Sequence, residues 1–168
     1  KHLLYAQLYA QMYPAEQQSA LIVQNAVQKA FRAGMRDQVI NLSEILPDTA
    51  SAAIRHEVDL LKAQAYFDQK AYGEAENVYR DLLISSSLSA ASKQDLQNKL
   101  ALSIYRQGEA AVEAAQNDVA AREFIRVQRE VPGSELAPVA TYDAIAILMD
   151  LAQWDEAIHY LNLFKQEY

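Results

Sequence analysis

The chain has 168 residues, a formal net charge of −7 and a pI near 4.9, so it lacks the basic stripe that a nucleic-acid backbone requires and suits an anionic membrane surface poorly. It is 51% hydrophobic with four Gly, four Pro and no Cys, which excludes disulfides and thiolate metal sites. Ala, Leu and Gln are abundant, no run of β-branched residues alternates with period two, and no apolar run approaches the ~20 residues that span a bilayer, so the fold expected is all-α.

In chain order, residues 3–13 read as a helix stopped by Pro14. Tyr5, Tyr9 and Tyr13 share one face of it and Leu4, Leu8 and Met12 the next, which predicts burial on two sides, with the tyrosines packed against the following hairpin and a ligand platform as the alternative. Helices are expected over 15–33, closed by Gly34, and over 37–46, closed by Pro47. Asp48 is a candidate N-cap for a helix running to about Gln69. The next helix spans 73–83, where Ala75, Val78, Tyr79, Leu82 and Leu83 form a stripe with a helical period. After the connection Ile84-Ser85-Ser86-Ser87, Ser92-Lys93-Gln94-Asp95 resembles a capping box and opens the longest helix, 93–116. Residues 119–130 follow, ended by Val131-Pro132-Gly133-Ser134, and 135–151 with 155–167 form the last hairpin.

These segments copy one another. Trp154-Asp155-Glu156-Ala157 repeats Tyr72-Gly73-Glu74-Ala75, and Leu161 and Phe164 repeat Tyr79 and Leu82. Ala120, Phe124, Val127 and Pro132 give a third copy, with Gly108 as the small residue of its first helix, as Ala63 is in the second hairpin; Val39 and Leu46 give a fourth after Gly34. Small and bulky residues at these spacings, with an aromatic three residues before the second helix's Ala, resemble the tetratricopeptide repeat family. Ile145, Val27 and Val39 depart from its pattern, standing where small residues are usual.

The resemblance implies one right-handed α-solenoid over 1–168, built of about four antiparallel hairpins (15–47, 49–84, 92–132 and 135–168) and preceded by an orphan helix at 3–13. It implies a groove lined by the first helix of each pair: Gln24, Gln28, Phe31 and Arg32; Leu60, Gln64, Phe67 and Asp68; Tyr105, Glu109 and Val112; Tyr142, Met149 and Asp150. The clamp of Lys, Arg and Asn with which family members hold acidic tails is missing, Arg32 being the one base among these positions. The expected ligand is a peptide or protein segment with apolar anchors, and with Lys or Arg to meet Asp68, Glu109 and Asp150. A structural spacer or self-association module is the alternative, and a helical accessory domain of a cell-wall enzyme a remoter one. The run 124–138, FIRVQREVPGSELAP, is similar to bacterial cell-envelope repeat proteins, which favours the periplasm or envelope over the cytoplasm.

No chemistry of catalysis stands out. His56-Glu57 begins the zinc-protease pattern HExxH, but Leu60 occupies the place of its second His. Neither a Gly-rich phosphate loop nor a Gly-x-Ser-x-Gly elbow is present. The pair Asp155-Glu156 is explained by a helix N-terminus, where negative charge is favoured. The reading is therefore non-enzymatic, with no catalytic residue, metal or cofactor. The last helix carries Ile158, Tyr160, Leu161, Leu163, Phe164 and Tyr168, more apolar residues than one stripe buries. With the similar excess in the first helix, this leads to the expectation of a piece of a longer array that pairs weakly with itself through one end.

Overall fold

Apolar stripes separated by polar turn residues yield helix after helix. A computed structural model describes residues 2–85 and 88–167. Its helices are α1 His2–Met12, α2 Gln17–Arg32, α3 Arg36–Glu44, α4 Ala52–Asp68, α5 Tyr72–Ser85, α6 Ala90–Glu113, α7 Asn117–Glu130, α8 Ala137–Asp150 and α9 Trp154–Glu167. No strand occurs among the described residues, so the protein is all-α there. The chain divides into two compact units, Lys1–Ser87 and Leu88–Tyr168.

In the first unit α1 lies on α2, α2 on α3, α4 on both α2 and α3, and α5 on α4. On α2 the buried residues Val23, Ala26, Val27 and Ala30 recur at i, i+3, i+4 and i+7, the period of one helix face. They join Val39, Leu42 and Val58 in a core to which each fully buried Val contributes about 1.5–3 kcal/mol. The second unit stacks α6 on α7, α7 on α8 and α8 on α9, around Ile104, Phe124, Val127, Ala140, Ala144 and Leu148. Gln94 Nε2 donates to the Gly133 carbonyl at 2.9 Å and the Glu135 N–H to Asn98 Oδ1 at 3.3 Å, so α6 also clasps the connection between α7 and α8.

The four hairpin turns share one geometry. Each first helix ends in a residue with positive φ: Gly34 (74°), Lys70 (62°), Ala115 (55°) and Ala152 (58°). The next N–H then reaches back to a carbonyl in the last turn of the helix, from Met35 to Ala30 (3.0 Å), Ala71 to Tyr66 (3.0 Å), Gln116 to Ala111 (2.8 Å) and Gln153 to Leu148 (2.9 Å). This is the Schellman closure, which satisfies carbonyls the helix leaves open. Only Gly34 adopts the left-handed conformation without a Cβ penalty. The buried residues Val39, Ala75, Ala120 and Ala157 each lie five positions after their turn residue, so the sequence copies coincide with turns of equal geometry.

Ala63 and Ala75 are fully buried in the paired helices α4 and α5. Gly108 on α6 is smaller still for a visible reason: a Cβ there would meet Cε1 of Phe124 at 2.5 Å and Cδ1 at 2.7 Å. The aromatic ring of α7 thus occupies the space that the missing side chain leaves.

Three expectations need correction. The N-cap of α4 is Ser51, whose hydroxyl accepts the Ile54 N–H at 3.3 Å, because 47–50 form a turn of their own in which the Ala50 N–H bonds to the Pro47 carbonyl; Asp48 is not the cap. The cap of α6 is Ser89, accepting from the Ser92 N–H at 3.2 Å, so the helix starts three residues before the capping box at Ser92 would put it. On α1 the face that packs on α2 is the small one, Ala6 and Ala10, and the tyrosines lie outside it. Alanine lets two helices approach closely; Tyr5 and Tyr13 are left exposed, and Tyr9 stacks on Tyr13 with ring centroids 5.1 Å apart. The third Ser of the connection 84–87 lies outside the described residues, with its neighbour Ser86.

Candidate protein-binding surface

The candidate lining residues fall at fixed distances from the turn. Gln24, Leu60, Tyr105 and Tyr142 stand ten residues before the positive-φ residue, and Gln28, Gln64 and Glu109 six before it. Phe31, Phe67, Val112 and Met149 stand three before it, and Arg32, Asp68 and Asp150 two before it. Offsets of this kind, i, i+4, i+7 and i+8, keep them on one face of each first helix.

On the first unit this face is already engaged with itself. Gln24 and Gln28, one turn apart on α2, direct their Nε2 atoms to the two oxygens of the Glu57 carboxylate on α4. Each glutamine keeps its amide oxygen and its second Nε2–H, so the pair still offers an incoming chain both acceptors and donors. Gln64 Nε2 donates to Asp68 Oδ1 at 2.9 Å, and Arg36 at the start of α3 pairs with Asp68 Oδ2 at 2.6 Å. The same guanidinium bonds to the Phe31 carbonyl at 2.7 Å and lies 4.1 Å from the Phe31 ring centroid, a cation–π contact. Phe67 meets Tyr72 edge-on across the turn, with centroids 5.1 Å apart. Arg32 is exposed, and Leu60 is half-buried.

On the second unit the face splits in character. The Tyr105 hydroxyl donates to Asp143 Oδ2 at 2.7 Å and its ring lies 4.9 Å from that of Phe124, joining α6, α7 and α8. Burial, and then the Asp143 carboxylate, raise the Tyr105 hydroxyl well above the usual phenol pKa, so it stays a donor at any physiological pH. Glu109 is paired with Arg106 at 2.5 Å. Tyr142 (66% exposed) and Met149 (49%) stand out on α8 beside the exposed Asp150, with Val112 (44%) on α6.

Glu57, Arg36 and Asp143 organise these faces and were not among the sequence candidates. Glu57 was legible only as the second letter of an incomplete zinc motif. Asp143 follows Tyr142 directly, but its partner lies 38 residues away. Among the described residues no group of three or more His, Cys, Asp or Glu is placed to hold a metal ion. No helix among them is long and apolar enough to cross a membrane. An open cleft of about 320 Å³ lies between α1 and α2, lined by Leu3, Tyr5, Ala6 and Tyr9 of the first and Ile22, Asn25, Ala26 and Lys29 of the second.

Together these features define an all-helical protein of recurring hairpins with one equivalent face per hairpin. No protein-family profile, curated protein or solved structure matches the chain.

Proposed function

We propose that the chain is a tetratricopeptide-type repeat scaffold, non-enzymatic, that binds a peptide or protein segment through the first helices of its hairpins. The observation that carries this reading is the α8 surface. Tyr142 and Met149 are exposed there, two turns apart on one face, and Asp150 sits next to them without an ion pair among the described residues. Large side chains left uncovered on an otherwise packed helix are suited to act as anchors, since binding hot spots are few and rich in aromatics. The ligand class follows from the surroundings: an apolar anchor to cover Tyr142 and Met149, and Lys or Arg to meet Asp150. The wording of 124–138 supports a role in a bacterial periplasm or envelope.

The test is an immobilised array of helical and extended peptides combining aromatic or aliphatic residues with Lys and Arg, followed by affinity measurement on the best binder. The double variant Tyr142→Ser, Met149→Ser is expected to lose at least about tenfold in affinity while far-UV circular dichroism stays unchanged. Equal binding by variant and parent removes this surface. A spacer role is the competing reading, and the internal use of Gln24, Gln28 and Asp68 favours it for the first unit; absence of any binder would leave the spacer in possession.

A further inference from the structure

The cleft between α1 and α2 joins apolar walls to one free cation. Only residues 13–16 separate the two helices, which pack on one another and therefore run antiparallel. On α2, Ile22, Asn25, Ala26 and Lys29 recur at i, i+3, i+4 and i+7 and form one wall. Leu3 and Ala6 give the opposite wall its apolar part, and the Tyr9 hydroxyl is engaged with the Glu16 carboxylate at 2.8 Å. No carboxylate stands among the described lining residues, in a chain with 22 acids.

Charge is distributed unevenly along the sequence. Within residues 1–36 Glu16 is the one acid, against Lys1, Lys29, Arg32 and Arg36. Arg36 pairs with Asp68, and Glu57 is held by Gln24 and Gln28 on a different face of α2. Lys29 has no hydrogen bond or ion pair among the described residues, and neither does the Asn25 side chain one turn before it. A lysine in the last turn of a helix is by itself explained by the dipole. The dipole gives no reason for an apolar, acid-free cleft to open beside it.

We propose that this cleft binds a single-chain amphiphile with one anionic head, of the type of a medium-chain alkyl carboxylate. The tail lies between Ile22 and Ala26 on one side and Leu3 and Ala6 on the other; the carboxylate meets Lys29 Nζ, with the Asn25 amide as a second donor. Because the helices are antiparallel, Ile22 is toward the turn that holds Glu16 and Lys29 away from it, so the head is kept apart from that acid. From Ile22 to Lys29 the helix rises about 10 Å, the length of a chain of about eight carbons. A volume of about 320 Å³ suits so small a ligand, since ligand sites run from about 300 to 1,000 Å³. The claim is independent of peptide binding on α8, which belongs to the other unit.

Octanoate is the probe, titrated calorimetrically into the full chain below its micellar concentration, with hydrogen exchange of α1 as the second readout. The expected result is one saturable site. At octanoate a hundredfold above its Kd, the α1 amides should exchange at least about tenfold more slowly, because the ligand holds α1 to α2. Octylammonium has the same tail and the opposite charge, and is expected to bind at least about tenfold more weakly despite the acidic chain; acetate, the head alone, should not bind at these concentrations. Lys29→Gln is expected to weaken octanoate at least about threefold, the scale of an exposed ion pair, while Lys29→Arg retains it. Asn25→Trp, at an exposed place on the wall, is expected to abolish binding by filling the cleft, with far-UV circular dichroism unchanged. Octylammonium binding as tightly as octanoate overturns the proposal, as does equal octanoate binding by Lys29→Gln and parent. So does octanoate binding that leaves α1 exchange unaltered, or no saturable binding at millimolar octanoate. Co-sedimentation with vesicles of zwitterionic and anionic phospholipid, without octanoate binding, would overturn it in favour of a membrane surface.

Discussion

Replacing Gly108 by Ala sets two known effects against each other. In an exposed mid-helix site the change would gain about 1 kcal/mol, because Gly is the poorer helix former. At Gly108 the new Cβ falls 2.5 Å from one ring atom of Phe124 and 2.7 Å from another. That ring has little freedom to withdraw: it is 3% exposed and stacked on Tyr105, whose hydroxyl is held by Asp143. Overpacking of this kind costs about 1–3 kcal/mol, so the net effect is a loss of up to about 2 kcal/mol. In a chain of this length each kcal/mol moves Tm by roughly 2–4 °C, and the variant is expected to melt several degrees lower. Urea and thermal unfolding followed by circular dichroism provide the measurement. Ala110→Gly, at an exposed site on the same helix, calibrates the propensity effect at about 1 kcal/mol lost. In a Phe124→Leu background the ring is gone and Gly108→Ala is expected to become neutral or stabilising, a coupling that a double-mutant cycle isolates. A single variant more stable than its parent by the full propensity gain of about 1 kcal/mol would refute the idea that the ring is seated on Gly108.

The remaining predictions concern turns, the interhelical clamp and pH. Lys70→Gly, Ala115→Gly and Ala152→Gly are each expected to stabilise by roughly 0.5–1 kcal/mol in urea unfolding by removing a left-handed Cβ, whereas Gly34→Ala loses a similar amount through φ alone, there being no atom within 4 Å of the added carbon. Glu57→Ala strips Gln24 and Gln28 of their shared acceptor and is expected to cost about 1–3 kcal/mol by the same assay, with Glu57→Gln less harmful because it keeps one acceptor oxygen. Asp59 has its carboxyl pKa raised, first by burial and further by Asp81, against the opposing charges of Arg55, Lys62 and His56. A raised value stabilises the fold fully only below the unfolded pKa of about 3.9, and that contribution is lost as pH rises through the folded pKa. Asp59→Asn is therefore expected to raise Tm at neutral pH, with the gain shrinking toward pH 4; a gain independent of pH would count against it.

The hairpin register was legible because it is written twice in side chains that must be small or large for packing reasons. Tyr72-Gly73-Glu74-Ala75 and Trp154-Asp155-Glu156-Ala157 both follow a left-handed turn residue at the same distance, and the anchors at 39, 75, 120 and 157 are all buried. Helix starts were less legible, since Ser and Asp crowd both junctions and only the backbone path selects Ser51 over Asp48 and Ser89 over Ser92. On α1 hydrophobic content points to the wrong face: Tyr and Leu bury more area, but Ala6 and Ala10 allow α2 to come close. For the candidate surface, helical offsets gave which residues share a face. They could not give which of these find each other across helices, because Gln24 and Glu57 are 33 residues apart and the distance between α2 and α4 is a property of packing.

A helix held through alanines is held lightly. Each buried methyl is worth only about 0.8 kcal/mol, while ordering the backbone of a residue costs about 1–2 kcal/mol, and an eleven-residue helix has little stability of its own. Against α2, α1 sets Ala6 and Ala10 with the half-buried Leu3, and its junction is tied by Tyr9 to Glu16 and by Ser19 to the Tyr13 carbonyl. Detachment of α1 therefore requires far less free energy than unfolding the unit beneath it. Its amides exchange first and Tyr13-Pro14-Ala15 becomes the first bond region open to proteases. What its departure uncovers on α2 is the side that carries Ile22 and Ala26, an apolar strip fully exposed only in that minor state.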